Sequence, residues 1–130
     1  MKKTKERDLA VPREMIRAAE GERMWVLLNH VKADKLEQHQ HFVHDILMPA
    51  AEKVALAAFR HTRFLYPTEP NEDGTFTSVF IMDPLIEDAD YTFLGVLTKA
   101  YGEEQAKEYI KLWEDAEASP QVGYSLTQAL

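Results

Sequence analysis

The sequence of 130 residues contains no cysteine. That absence excludes disulfide bridges, metal sites built from thiolates and catalysis by a cysteine nucleophile. No apolar run approaches the roughly 20 residues that a membrane-spanning helix needs. The opening Met-Lys-Lys-Thr-Lys resembles the charged start of a signal peptide, but no apolar stretch follows it. We therefore expect a cytoplasmic protein.

Positive charge is also scarce. The 15 Lys and Arg residues against 22 Asp and Glu give a formal net charge of −7. Nucleic acids and anionic membrane surfaces attract basic proteins, so neither is an expected partner. The sequence also lacks a phosphate-binding loop, a nucleophile elbow, a zinc-protease motif and a dinucleotide fingerprint. The motifs therefore give no reason to expect a cofactor.

The strongest structural signal is an almost continuously apolar strand over residues 24–32. Both of its faces carry apolar side chains, among them Trp25, Val26, Leu27 and Leu28. A strand with one face in water would alternate apolar and polar residues, whereas this pattern is typical of a strand that is covered on both faces. The fold must therefore provide two covers for this strand.

An amphipathic helix follows from about Asp34. Its apolar positions recur at steps of three and four residues, which places them on one face of a helix. These positions are Leu36, His39, Val43, Ile46, Leu47 and Ala50. Pro49 removes one backbone hydrogen bond, so we expect a kink or a restart there and further helix as far as Ala58.

The remainder of the chain predicts a hairpin, a helical region and a final strand. Residues 59–66 and 75–82 are strand-like runs separated by a polar turn. Helical signal resumes near Tyr91, is interrupted at Gly102 and continues to about Glu117. Residues 121–130 alternate loosely, which predicts a last strand.

This β-α-β-β-α-β order predicts an α+β fold of the ferredoxin-like kind. An antiparallel sheet of four strands would carry both long helices on one face. Two copies that pack their other faces together would supply the second cover, so we expect a homodimer with a two-fold interface that forms an α/β barrel. Residues 23–130 make up this domain. Residues 1–22 are expected to form an N-terminal extension with a short helix between Pro12 and Gly21.

The strand Val-Leu-Leu-Asn29-His-Val-Lys, followed by a helix start at Ala-Asp-Lys, resembles the dimeric α/β-barrel superfamily. The resemblance covers residues 24–130 and lies mainly in the order of elements. Members of the superfamily include antibiotic-biosynthesis monooxygenases, haem-degrading monooxygenases and stress-responsive barrel proteins. In the monooxygenase branches an asparagine on the first strand lines the pocket between sheet and helices, and Asn29 matches that residue.

Two departures limit what the resemblance implies. The monooxygenase branches often carry a tryptophan near the end of the third strand, where this chain has Phe80-Ile-Met-Asp83. Haem-degrading members bind iron through a histidine on the second helix, and this sequence has no histidine after His61. Haem degradation by that route is therefore not implied.

His39 and Asn29 are the catalytic candidates. His39 lies in the middle of the apolar helix face, so its imidazole should face the sheet and needs a hydrogen-bond partner there. Asn29 or a bound ligand would serve, and a desolvated imidazole is suited to proton transfer. His39 would then act as acid or base and Asn29 would orient the substrate. Alternatively, both are structural residues, with His39 bonded to a neighbouring group and Asn29 near the surface.

Six further residues are candidates for ligand contact: Trp25, Leu27, Phe42, Val43, His61 and Arg63. The first four belong to the strand and helix that should meet in the interior. His61 and Arg63 are expected to share one face of the second strand. There they would bind an anionic group of a ligand or, alternatively, pair with residues across the sheet.

A polar group on the first helix has the spacing of a metal site. It consists of Glu37, His41, His44 and Asp45, which lie three or four residues apart. This group lies opposite the apolar helix face, however, and zinc needs ligands that converge in a supported site. We therefore expect a solvated helix face and no metal.

Two main hypotheses for function follow. In the first, a dimeric barrel binds a small, mostly apolar or aromatic molecule between sheet and helices, and performs cofactor-independent oxygenation or isomerisation through His39 and Asn29. In the second, the protein is a non-catalytic dimeric binding or interaction module, and the same residues complete its core. Haem or metal binding is a third alternative. A cavity that touches both His39 and Asn29 would favour the first hypothesis, and a filled interior would favour the second.

Overall fold

The computed structural model describes residues 11–130. A single 3-10 turn at Arg13–Met15 precedes the main elements, which are β1 (Arg23–Val31), α1 (Leu36–His41), a π-helical segment (Phe42–Leu47), α2 (Met48–Val54), α3 (Leu56–His61), β2 (Thr62–Leu65), β3 (Phe76–Met82), α4 (Phe93–Tyr101), α5 (Glu103–Ala116) and β4 (Glu117–Thr127). Strands and helical regions therefore follow the predicted β-α-β-β-α-β order.

The four strands form one antiparallel sheet in the order β2-β3-β1-β4. The first and third strands lie at its centre, and the second and fourth form its edges, which is the ferredoxin-like arrangement. The predicted α+β fold class is confirmed by this topology.

The helices cover one face of the sheet. Trp25 and Leu27 of β1 and Phe80 and Met82 of β3 belong to the core cluster or pack against it, together with Phe42, Ile46, Leu47, Leu97 and Trp113 from the helical side. Within residues 11–130, the sheet residues that join this cluster all have the same strand parity. We call this side the inner sheet face.

The opposite face of the sheet is apolar and has no helix over it in the described chain. It carries Met24, Val26, Leu28, Leu65, Val79, Ile81, Val122, Tyr124 and Leu126. Leu65, Val122, Tyr124 and Leu126 are between 39 and 52% exposed. We call this side the outer sheet face. The sequence prediction that β1 is apolar on both faces is thus confirmed, and its second face lacks a cover within one chain.

The second and fourth strands differ from their predicted bounds. Residues Phe59–His61 close α3 instead of opening β2, because the alanine-rich stretch before them continues the helix and the Thr62 hydroxyl donates to the Ala58 carbonyl at 2.7 Å. β4 begins at Glu117 and includes Pro120. It is an edge strand whose register against β1 shifts between Leu28 and His30. Such an irregular edge tolerates a residue without an N–H group.

The first long helix passes through Pro49 without ending. The π-helical segment immediately precedes α2, in which Pro49 occupies the first turn. The first turn of a helix tolerates proline because its N–H group is not required there. The restart expected at Pro49 therefore takes the form of a change in helix type.

Residues 11–22 form an arm against the edge of the domain. Only the turn Arg13–Met15 is helical, so the predicted helix up to Gly21 is wrong. Gly21 instead has a φ of 86° in a turn before β1, and its N–H group donates to the Gln128 carbonyl. The Arg13 guanidinium lies 4.9 Å from the centre of the Phe59 ring, which anchors the arm on α3.

Candidate functional site

A cavity of about 490 Å³ lies between the inner sheet face and the helical layer. The strands contribute Trp25, Leu27, Thr62, Phe64, Phe80, Met82 and Gln121, and the helices contribute Leu47, Ala51, Ala58, Phe59, Phe93 and Val96. Ala55, between α2 and α3, and residues 89–92, in the loop before α4, complete the lining. A volume of this size suits a small organic molecule.

Small side chains on the helical side make room for the cavity. Ala51, Ala55 and Ala58 line it at positions where larger aliphatic residues would fill the space. The facing strands carry rings instead, and Phe64 and Phe80 meet with ring centres 5.2 Å apart. The alanines on the helical side therefore leave a space that the strand rings face.

Six aromatic rings line the cavity: Trp25, Phe59, Phe64, Phe80, Tyr91 and Phe93. Their faces and edges favour a planar apolar ligand. Trp25 and Tyr91 have ring centres 5.7 Å apart and join β1 to the loop before α4. The polar lining residues are few, namely Thr62, Asp90, Thr92 and Gln121. This combination is typical of a small-molecule site in which a few groups fix the orientation of the ligand.

One exposed carboxylate, that of Asp90, lines the cavity beside the exposed Thr92. Nearby in the same loop, Asp88 lines an adjacent cleft together with Lys99, and Glu87 forms a salt bridge with Arg23 at 2.7 Å. Bonds from the hydroxyl and N–H of Thr92 hold the pKa of Asp90 below its usual range. The cavity lining therefore carries one negative charge at neutral pH, which disfavours anionic ligands and favours neutral or cationic ones.

A chain of four polar side chains runs from the cavity into the interior. Gln121 Nε2 donates to Asn29 Oδ1 at 2.7 Å, and Asn29 Nδ2 donates to Ser78 Oγ at 3.3 Å. Ser78 Oγ lies 2.7 Å from His39 Nε2. We call this group the polar chain. Asn29, Ser78 and His39 are each at most 2% exposed, so they satisfy one another's hydrogen-bonding groups away from water.

His39 does not line the cavity. Its ring centre lies 5.0 Å from that of Trp113, which in turn contacts the cavity-lining rings of Phe80 and Phe93. Burial lowers the pKa of His39 from 6.5 to about 4, so the imidazole is neutral at physiological pH. Asn29 is also absent from the cavity lining and reaches it only through Gln121.

The structure brings some of the predicted contact residues to the cavity and leaves others away from it. Trp25 and Leu27 line it, while Phe42 and Val43 are fully buried in the core beside it. His61 and Arg63 do not share a strand face as expected. His61 is the last residue of α3 and lies 3.0 Å from the Pro84 carbonyl.

Arg63 projects from β2 away from the cavity. Its guanidinium pairs with Asp83, whose other carboxylate oxygen accepts from the backbone N–H of Ala18. Arg63 thus helps to hold the arm of residues 11–22 against the sheet. Its position explains why it does not contribute to the cavity lining.

Ser78 and Gln121 are functional candidates that the sequence analysis missed. Ser78 lies directly opposite Asn29 in the pairing of β1 with β3, so the predicted strand parity carried a usable signal for it. Gln121 shares the parity of Gly123, which pairs with Leu27 on the inner sheet face, but the sequence does not supply the pairing of β4 with β1 that brings it beside Asn29.

The polar group on the first helix lies in solvent. His41 Nδ1 and Asp45 Oδ2 are 2.9 Å apart, and both side chains are more than half exposed. In residues 11–130, no group of three or more His, Asp or Glu side chains is arranged to hold a metal ion. Nor does any helix in that part of the chain combine the length and apolar character needed to cross a membrane.

Comparison with known proteins gives one solved structure of similar fold. It comes from Caulobacter crescentus and is described as a putative antibiotic biosynthesis monooxygenase, with 13% sequence identity, a TM-score of 0.48 and coverage of 85% of this chain and 92% of that chain. No protein-family model matches the sequence, and no curated protein matches it.

Gly95 in the first turn of α4 provides a test of the packing around Asp90. A Cβ atom at this position would lie 1.9 Å from Asp90 Oδ2 and 2.8 Å from the Thr92 hydroxyl that caps α4. Gly95→Ala must therefore displace both groups, and loss of the cap should lower the free energy of unfolding by about 0.5–2 kcal/mol. Helix propensity alone would give the opposite sign, a gain of roughly 1 kcal/mol. Urea denaturation of Gly95→Ala with and without Asp90→Ala separates the two effects. A stabilising Gly95→Ala in the wild-type background would contradict this packing of Asp90 and Thr92 against α4.

The buried His39 predicts a specific dependence of stability on pH. The folded protein takes up this proton near pH 4, whereas the unfolded chain takes it up near 6.5. The unfolded state thus binds more protons between these values, so stability falls as the pH decreases from 6.5 to 4. Relative to His39→Gln, wild type should lose roughly 2–3 kcal/mol over this interval. Parallel stability curves for the two proteins, measured by urea denaturation, would show that His39 does not titrate in this way.

Proposed function

We propose that the protein binds a small, planar, mostly apolar molecule in the cavity between its sheet and helices. The observation that carries this proposal is a cavity of about 490 Å³ lined by six aromatic rings and only four polar residues. The Asp90 carboxylate in the lining adds that the ligand is neutral or positively charged, because this group would repel an anion.

Binding is better supported than acid–base catalysis by His39. A general base must reach the proton it removes directly or through one water molecule, whereas Ser78, Asn29 and Gln121 lie between His39 and the cavity. Two of these three groups are amides, which do not exchange protons readily near neutral pH. Cofactor-independent oxygenation or isomerisation is the second candidate function. The observation that favours it is the polar chain, whose hydrogen bonds connect the cavity to the neutral imidazole of His39.

The binding proposal predicts that filling the cavity abolishes binding of a neutral aromatic probe. N-phenyl-1-naphthylamine, which fluoresces when it leaves water, should bind the wild-type protein. Ala51→Phe should remove this signal, because Ala51 lines the cavity on α2. The control is Ala57→Phe, since Ala57 lies on α3 outside this cavity and lines only an adjacent cleft. Equal fluorescence titrations for both variants and wild type would refute the assignment of the cavity as the binding site.

We also propose that the protein is a homodimer that joins two outer sheet faces. This face covers roughly 400 Å² if strands are spaced as usual, and apolar patches of several hundred Å² mark protein interfaces. Its charged residue Arg63 already pairs with Asp83 of the same chain. An exposed apolar sheet face of this size is suited to pack against the same face of a second copy related by a two-fold axis.

A charge introduced on the outer sheet face should separate the dimer. Tyr124 is 52% exposed and lies near the middle of β4, so Tyr124→Lys would place two lysines in the interface. Light scattering after size-exclusion chromatography should give twice the chain mass for wild type and the mass of a single chain for this variant. Leu94→Lys is the control, because Leu94 is similarly exposed on α4. A wild-type monomer at all concentrations would contradict the dimer.

A further inference from the structure

Gln121 faces the cavity because of regular strand alternation in β4. Gly123 pairs with Leu27 and Val122 pairs with Leu28, so Gln121 lies on the inner sheet face beside Asn29. The bulge follows it, since Pro120 is an extra residue between Gln121 and Ser119, which pairs with His30. The Gln121 amide thus lies in the cavity lining and within 2.7 Å of the Asn29 carbonyl.

The polar chain has a direction. Asn29 Nδ2 donates to Ser78 Oγ, so the Ser78 hydroxyl can donate its own proton to His39 Nε2. The Nε2 atom of a neutral imidazole can accept this bond. The Asn29 carbonyl then accepts from Gln121. Every buried member thus has a partner. In this arrangement Nε2 of the Gln121 amide is turned toward Asn29.

This orientation leaves the Gln121 side-chain carbonyl unused. Its Nε2 is held by Asn29, and within residues 11–130 no donor reaches its Oε1. Among the other polar lining residues, Thr92 and Asp90 bond to each other and the Thr62 hydroxyl donates to Ala58. Asp90 Oδ2 is a second acceptor in the lining, since both Thr92 bonds go to Oδ1. Of these two acceptors, the Gln121 carbonyl is the one that is held in place from within the sheet.

We propose that the Gln121 side-chain carbonyl selects ligands that carry a hydrogen-bond donor, such as the N–H group of a planar heterocycle. Asn29, Ser78 and His39 are positioning residues that hold the Gln121 amide and do not touch the ligand. This inference rests on the proposed binding function and adds the polar group that its ligand must carry. It also assigns the recognition role to Gln121, where the sequence resemblance implied Asn29.

Two probes of nearly identical shape test the selection. Indole carries an N–H donor and benzofuran has an oxygen atom in its place. Each is used to displace N-phenyl-1-naphthylamine from wild type and from Gln121→Leu. Ser125→Ala is the control, since Ser125 lies on the same strand and does not line the cavity. One neutral hydrogen bond corresponds to a preference of roughly 5- to 10-fold.

We expect wild type and Ser125→Ala to prefer indole by this factor and Gln121→Leu to bind both probes equally. Ser78→Ala should lose the preference while it keeps its benzofuran affinity, an effect that a general loss of packing would not produce. Binding of both probes with equal affinity to wild type, or a preference that survives in Gln121→Leu, would overturn the inference alone. Failure of wild type to bind the naphthylamine or either probe would overturn the proposed function and this inference together.

Discussion

The apolar character of β1 on both of its faces is the constraint on which the rest of the structure depends. Trp25 and Leu27 on the inner sheet face pack against the helical core. Val26 and Leu28 point the other way, where Val122, Tyr124 and Leu126 continue the apolar surface. Apolar area of this extent is stabilising only when it leaves water. The helices therefore account for one cover, and the proposed dimer follows from the need for the other.

The inner sheet face also contains polar residues, and their burial constrains the site. Isolated in an apolar interior, Asn29, Ser78 and His39 would each be strongly destabilising. Their hydrogen bonds to one another remove that cost and continue to Gln121 at the cavity. Burial makes the His39 imidazole neutral, and the same buried position prevents contact between His39 and a ligand in the cavity. His39 thus helps to position the site through its hydrogen bond to Ser78, and the polar side chain that faces the ligand, Gln121, belongs to the edge strand β4.

Local patterns in the sequence predict the order of elements and the two-sided character of β1, because strand parity and helical periodicity depend on neighbouring residues. The bounds of β2 and β4 escape prediction, since the Thr62–Ala58 bond extends a helix and the bulge at Pro120 admits a proline. The cavity escapes it too. Its volume arises where the alanines of α2 and α3 face rings from other elements, and such an arrangement depends on tertiary packing.

Native mass spectrometry of the protein purified from its natural host tests the central claim most directly. The account predicts a species of twice the 15.0 kDa chain mass that carries additional small-molecule mass, and this added mass should be lost from an Ala51→Phe variant. A single-chain species without added mass at every protein concentration would contradict it. That result would mean that β1 leaves its second face in water and that the aromatic cavity has no ligand to hold.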